Sequence, residues 1–213
     1  QTSGTDHGFS ITKNVAGSQT EYFQIGTVGQ VGLSGSYGTA GQVLTSNGSS
    51  SAASWTDLAP LTSGTAVAST SGTSIDFTGI PSWAKRITVM MDSVSFNDTT
   101  IPTLQLGDSG GIETTGYVGG YAYTGQSTGS AGSSSSLPFA VASAGDNLCG
   151  HLIITKITGS TWVMSGTVVR ENDDYVFVSG GSKTTSATLD RVRITTASGT
   201  DTFDAGTINI LYE

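Results

Sequence analysis

The feature that most constrains the fold is an alternation of apolar and polar residues, with a period of two, over most of the chain after Thr73. Successive side chains of a β-strand point to opposite faces, so this alternation is typical of half-buried strands. In RITVMMDSVSF (86–96) the apolar residues occupy odd positions up to Met91 and even positions from Val94 onward. We therefore predict a β-bulge at Asp92–Ser93.

Further segments repeat the strand pattern: NLCGHLIITKI (147–157), TWVMSGTVVRE (161–171), DYVFVSGG (174–181), DRVRITTAS (190–198) and GTINILYE (206–213). No stretch has apolar residues at helical spacing between capping residues. About ten short strands after Ser74, separated by Gly, Ser, Asn and Asp clusters, are expected. This number and spacing predict an all-β fold, an antiparallel β-sandwich or jelly-roll-like head over residues 59–213.

Residues 1–58 have a different character, because their apolar residues are too few to close a core. Segments below about 40 residues usually need cross-links or oligomerisation to fold. The chain has one cysteine, Cys149, so no internal disulfide can form. We expect a Gly-rich stalk in which intertwined subunits share a core, with Trp55 at the trimer axis or at the joint with the head.

Glycine recurs at every third position from Gly26 to Gly41. Two interpretations are open. A collagen-like triple helix needs this spacing, because only glycine fits its crowded axis, but these triplets contain no proline. The alternative is an extended Gly-rich stretch interleaved between subunits. Both imply several chains, and both favour a homotrimer.

Charge and composition exclude several function classes. The net charge of −8, from 8 basic and 16 acidic residues, argues against a nucleic-acid partner. No apolar run is long enough to insert into a membrane. Neither His7 nor His151 lies in a metal-binding motif, and the carboxylates of RENDDY (170–175) lack calcium-loop spacing, so neither a metal nor a cofactor is expected. The chain begins with Gln, which we take to indicate a processed product or a fragment.

The catalytic motifs give no support for an enzyme. G-x-S-x-G occurs at residues 107–111 and 125–129, but neither serine is a plausible nucleophile, because this motif works on a turn from a strand into a helix and no helix is expected. Paired carboxylates can hydrolyse a glycan, and two nominal pairs exist, Asp108 with Glu113 and Asp173 with Asp174. Neither pair has a spacing that favours this chemistry, so we do not expect an enzyme.

The aromatic residues are better candidates for a binding site. Sugars stack on aromatic rings while nearby polar groups bind their hydroxyls. The candidate receptor-binding residues are Tyr117, Tyr121, Tyr123, Trp162, Asp173 and Asp174. The three tyrosines share one strand parity, and the alternative is that they face the core. Residues 107–136, and above all TGQSTGSAGSSSS (124–136), are expected to form a projecting loop. Receptor contacts could equally come from residues 170–175 or 180–187.

Three segments resemble bacteriophage tail fibre proteins: GTAGQVLTSNGSSSAASWTD (38–57), SGTSIDFTGIPSWAKRITVMMDSVS (71–95) and the ending AGTINILYE (205–213). The resemblance implies a homotrimer in a virion tail fibre, outside the cell. Its β-rich head would attach to a bacterial surface glycan or outer-membrane protein. The stalk would join the upstream part of the fibre or another tail protein. Alternatives are a secreted adhesin or carbohydrate-binding module, and a capsule-degrading tailspike.

Overall fold

The computed structural model describes residues 7–15, 17–58 and 61–213. Within these residues every element is a β-strand, all strand pairs are antiparallel, and no helix is present, so none could cross a membrane. The chain divides into two compact units, Gln1–Ala59 and Pro60–Glu213. The all-β class predicted from the alternation is confirmed.

The N-terminal unit contains two small sheets. Its strands are β1 (His7–Val15), β2 (Ser18–Gly26), β3 (Val31–Leu33), β4 (Gln42–Thr45) and β5 (Ser54–Asp57). The first three form one sheet in chain order, and β4 and β5 form a hairpin. Side chains that would be buried in a larger core are exposed here, among them Phe9, Ile11, Val28 and Leu44.

The Gly-x-x segment forms turns around short strands, so both interpretations made from the sequence need correction. Gly29, Gly35, Gly38 and Gly41 have φ values of 85, 81, 69 and 91°. These lie in the left-handed region, whereas a collagen helix requires φ near about −75° at every residue. Nor is the segment extended. Trp55 packs over Gly38, and its indole N–H donates to the Ser36 carbonyl at 3.1 Å.

The C-terminal unit contains two larger sheets. Its strands are β6 (Thr62–Ser63), β7 (Val67–Ala68), β8 (Ser74–Thr78), β9 (Arg86–Phe96), β10 (Pro102–Asp108), β11 (Gly111–Ile112), β12 (Tyr117–Thr124), β13 (Gly129–Ser133), β14 (Leu137–Pro138), β15 (Leu148–Thr158), β16 (Thr161–Arg170), β17 (Tyr175–Thr184), β18 (Leu189–Thr196) and β19 (Phe203–Tyr212). A five-stranded sheet has the order β11-β10-β18-β8, with β14 also paired to β10. A nine-stranded sheet has the order β13-β12-β17-β16-β15-β9-β19-β6, with β7 also paired to β19.

One hydrophobic core contains the buried residues of both sheets. The five-stranded sheet contributes Leu104 and Ile194, and the nine-stranded sheet contributes Leu152 and Phe177, all fully buried. Burial alternates along the long strands, as the sequence predicted. Burial of apolar area at this scale is the main stabilising contribution to the unit.

The predicted bulge is present. At Asp92–Ser93 the pairing register of β9 shifts relative to both neighbouring strands, β15 and β19. Ser93 has a φ of 53°, which lets the strand gain one residue and turn Val94 and Phe96 back to the core. The change of apolar parity in the sequence therefore has a direct structural cause.

The loop predicted over residues 107–136 needs correction, because strand β12 (Tyr117–Thr124) lies within it. Residues Gly129–Ser133 form strand β13, which pairs with β12 at the edge of the nine-stranded sheet. An edge strand needs a backbone ladder with one neighbour and no apolar side chains of its own. The loop is therefore limited to the few residues that join these two strands.

Candidate functional site

The nine-stranded sheet has one end where the chain enters the unit and a far end. Thr62 pairs with Tyr212, and Trp83 packs on Tyr212 with ring centroids 5.7 Å apart, so the chain enters beside the last residue of β19. The hairpin between β16 and β17 turns at the opposite end, where Arg170 pairs with Tyr175. The far end therefore consists of loops away from the connection to residues 7–58.

Arg170 organises the far end. Its guanidinium makes a two-pronged contact with Asp173, at 2.7 and 2.5 Å, and lies 3.2 Å from Asp146. The hydrogen bond from Arg170 holds the pKa of Asp173 below its usual range, and the same bond raises the pKa of Arg170. A fixed guanidinium fork of this kind orients both carboxylates. We call Tyr123, Asp146, Arg170, Asp173 and Tyr175 the far-end cluster.

Two neighbouring loops are tied together beside this cluster. The side-chain oxygen of Asn172 accepts the Asn147 N–H at 2.8 Å, and its side-chain amide donates to the Gly145 carbonyl at 3.2 Å. The Glu171 N–H donates to the Asn147 carbonyl at 2.9 Å. The loop at 143–147 is therefore held against the β16–β17 turn, and the polar groups of the far end have defined positions.

Aromatic rings form the other wall of the cluster. Tyr123 meets Tyr175 edge to face at 5.7 Å, and both rings pack on the buried Phe177. The Tyr175 hydroxyl lies 3.0 Å from the Ser127 hydroxyl in the β12–β13 loop. Tyr123 and Tyr175 are both half-buried, so part of each ring remains accessible at the sheet end.

Three of the residues predicted to bind a receptor lie in the core. Tyr117 and Trp162 are each 2% exposed, and Tyr121 is also buried. The Tyr117 hydroxyl accepts the Leu106 N–H at 2.7 Å and donates to the Glu113 carbonyl at 2.8 Å, and burial raises its pKa to about 12. Rings in these positions offer no face to a sugar. The alternative that the tyrosines face the core is therefore correct for Tyr117 and Tyr121.

The other three candidates lie together at the far end. Tyr123 and Asp173 belong to the cluster, and Asp174 is exposed in the adjacent turn with a φ of 60°. Aspartate tolerates this left-handed conformation better than most residues. Sequence reasoning missed Asp146, and it considered Arg170 and Tyr175 only as part of an alternative contact segment, residues 170–175. Arg170 and Asp173 stand three apart in RENDDY, which was a usable local signal, whereas Asp146 is brought there by strand pairing.

The charge of the C-terminal unit is concentrated at the far end. Eight acidic residues and one basic residue, Arg170, lie in or beside its loops: Asp92, Asp98, Asp146, Glu171, Asp173, Asp174, Asp201 and Asp204. The rest of this unit has five acidic and six basic residues. The resulting negative potential repels anionic ligands and favours neutral or cationic ones.

Comparisons with known proteins gave no match. This holds for protein-family models, for curated proteins and for solved structures.

Asp108 and Glu113, a nominal carboxylate pair in the sequence, meet around Ser186. The Asp108 carboxylate accepts the Ser186 hydroxyl at 2.6 Å, and Glu113 accepts the Ser186 N–H at 2.6 Å while pairing with Lys183. The bond from Ser186 lowers the pKa of Asp108. Burial alone would raise the pKa of Glu113, but bonds from Lys183 and Ser186 outweigh it and lower the pKa. A glycosidase acid needs a raised pKa, which neither has.

Over the described ranges, no group of three or more His, Cys, Asp and Glu side chains is arranged to hold an ion. His151 lies on the exposed face of β15. His7 opens β1, and its side chain is outside the described residues.

Proposed function

We propose that this chain is the distal part of a bacteriophage tail fibre and attaches the virion to a polysaccharide on the bacterial host surface. The sequence resemblance at residues 38–57, 71–95 and 205–213 supports this assignment. The observation that carries the site is the position of the far-end cluster. The chain enters the C-terminal unit at the other end of the sheet, which supports the proposal that this cluster meets the cell.

The far-end cluster has the groups that a sugar site uses. Half-buried Tyr123 offers part of its ring for stacking, and Tyr175, which has the Arg170 guanidinium over its ring, offers its edge. Asp174 and the Ser127 hydroxyl can bind sugar hydroxyls. Arg170 is engaged by two carboxylates, so it is not free to bind an anion. We therefore propose an uncharged polysaccharide, or one that bears amines, as the ligand rather than a phosphate-rich or uronate-rich one.

The two sheets with a shared core are consistent with a β-sandwich head that begins near residue 59. For residues 1–58 we propose a stalk shared between three copies, because apolar side chains such as Phe9 and Val28 are left exposed there. Three heads on one stalk raise the effective concentration at the second and third sites, so weak single contacts give firm attachment. The stalk would join the upstream fibre or another tail protein.

Experiments can distinguish host attachment from two alternative functions. A secreted adhesin or carbohydrate-binding module would bind the same sugars without any role in virion attachment. A capsule-degrading spike would release reducing ends from host polysaccharide. The low pKa values of Asp108 and Glu113 favour binding without hydrolysis.

The proposal is tested with the purified full chain on a glycan array and on whole bacteria. We expect binding to a small set of neutral or amine-bearing glycans, and competition with phage adsorption to the same cells. Selective binding to polyanionic glycans would contradict the ligand class. No binding to any cell or glycan surface, or release of reducing ends, would contradict the function.

A further inference from the structure

The two sheets of the C-terminal unit present very different outer faces. The five-stranded sheet has ion pairs on its outer face. The guanidinium of Arg193 in β18 donates two hydrogen bonds to the carboxylate of Asp76 in β8, at 2.6 and 2.7 Å, and Arg191 pairs with its neighbour Asp190. Surfaces that face water usually carry interspersed charges of both signs, as this one does. The outer face of the five-stranded sheet therefore serves as the reference for a surface that faces solvent.

The outer face of four adjacent strands of the nine-stranded sheet, β12, β17, β16 and β15, lacks such charges, whereas the neighbouring β9 has the exposed Arg86 and Asp92. Strands β12, β15, β16 and β17 contain three charged residues, Lys156, Arg170 and Lys183, and all three share the strand parity of the inner face. No outward position of these four strands is Asp, Glu, Lys or Arg. The outward residues include exposed valines and isoleucines instead, with Val118 73% and Val178 55% exposed.

This charge-free face is continuous across the four strands. Val178 of β17 pairs with Ala122 of β12 and with Thr167 of β16, and Val169 and Ile157 are exposed farther along β16 and β15. With about 4.8 Å between strands and about 3.3 Å per residue, four strands of eight residues cover roughly 500 Å² as a flat projection. Stable interfaces bury about 800 Å² of accessible surface per partner, so this face would supply the larger part of such an interface.

We propose that the outer face formed by β12, β15, β16 and β17 is the interface between copies of this chain. Each copy has a net charge of −8, so identical chains repel one another over most of their surface. The charge-free face is where copies can meet without that cost. Apolar side chains are also exposed in the N-terminal unit, which a partner copy present along the whole chain would cover.

This inference extends the proposed homotrimer by naming the surface through which the heads associate. Three sheets would turn their outer faces toward a common axis, and the five-stranded sheets would face solvent. The far-end cluster would remain at one end of the assembly. The inference makes no use of the ligand, so failure of host attachment would leave it intact.

The test measures whether the face is covered in the native full chain. In a Cys149→Ser background, Val178→Cys places a thiol on the outer face of the nine-stranded sheet. Thr78→Cys is the matched control, because Thr78 is exposed on the five-stranded sheet. A maleimide should label the Val178→Cys protein about tenfold more slowly, or slower still, because a covered thiol reacts only when the assembly opens. Ile157→Cys is a second probe should Val178→Cys fail to fold.

Light scattering on the same samples identifies what covers the face. We expect an oligomer, with protection at both probe positions that disappears when the oligomer is dissociated. An oligomer whose Val178→Cys and Ile157→Cys thiols react as fast as that of Thr78→Cys would overturn the surface assignment alone. A monomer, with or without protection, would overturn both this inference and the proposed trimer.

Discussion

The guanidinium carbon of Arg170 lies 4.4 Å from the ring centroid of Tyr175, its partner across the β16–β17 hairpin. The same guanidinium contacts Asp173 and Asp146, so one cation connects the turn, the loop at 143–147 and an aromatic ring. Cation–π contacts of this kind favour arginine because its flat group stacks on the ring. The far-end cluster is thus fixed before any ligand arrives.

Replacing this cation should loosen the far end. We expect Arg170→Met to lower the free energy of unfolding by about 1–3 kcal/mol, because two carboxylates lose their counter-charge and the hairpin loses its stacking partner. Thermal unfolding of the full chain measures this. Arg193→Met is the control on the five-stranded sheet, since its pair with Asp76 is more exposed and should matter less. Equal losses in the two variants would contradict the organising role of Arg170.

Stability should fall as the pH is lowered through the acid range. The folded-state pKa values of Asp108, Glu113, Asp173 and Asp201 lie below their ordinary values. The unfolded chain therefore binds more protons near and below pH of about 4, and protonation favours unfolding. The contribution is complete above the unfolded pKa and is lost as the pH falls through the folded pKa. Melting temperatures between pH 7 and pH 3 measure this, and Asp108→Asn should flatten the profile. A profile as steep as that of the unchanged chain would argue against Asp108 as a source.

Tyr117 should affect stability and leave binding unchanged. Tyr117→Phe removes the hydroxyl that pairs with the Leu106 N–H and the Glu113 carbonyl, at a cost of about 1–2 kcal/mol, because buried polar groups lose their partner. Tyr22→Phe, at an exposed ring, is the control. Denaturant unfolding and glycan binding separate the two effects. Loss of binding with unchanged stability would contradict the structural role of Tyr117 and support its original assignment as a receptor-binding residue.

The proposed stalk gives a separate prediction. Removal of residues 1–58 should weaken trimerisation or lower the melting temperature, because the apolar contacts that we propose between subunits are lost. Light scattering and thermal unfolding of the truncated and full chains measure this. If the mass and melting temperature are both unchanged, residues 1–58 do not contribute to assembly.

Much of the C-terminal fold could be predicted because strand alternation is a local signal. The parity change after Met91 was sufficient to place the bulge at Asp92–Ser93. Strand β13 was missed, since its Ser and Gly residues pair through the backbone and give no apolar pattern. The prediction that Tyr117, Tyr121 and Tyr123 lie on one face of a strand is correct. Which face is buried, however, depends on the five-stranded sheet, whose strands are distant in sequence.

The far-end site was predictable only in part for the same reason. Asp173 and Asp174 were found from their local acidic pattern, and Tyr123 from its aromatic neighbours. Asp146 meets Arg170 only because Leu148 pairs with Arg170 in neighbouring strands. Contacts of this kind follow from register, which the sequence pattern does not specify between strands.

The most direct measurement of the central claim is adsorption to host cells by far-end variants of the full chain. Tyr123→Ala and Asp174→Asn change the far end, and Asn preserves the left-handed conformation at residue 174. Tyr212→Ala and Asp190→Asn are matched controls at other positions of the same unit. Loss of a stacking contact of about 1 kcal/mol per head is multiplied by avidity. The account predicts that the far-end variants remain folded and oligomeric but lose cell binding, while the controls retain it. Unchanged binding by both far-end variants, or equal loss in the controls, would contradict it.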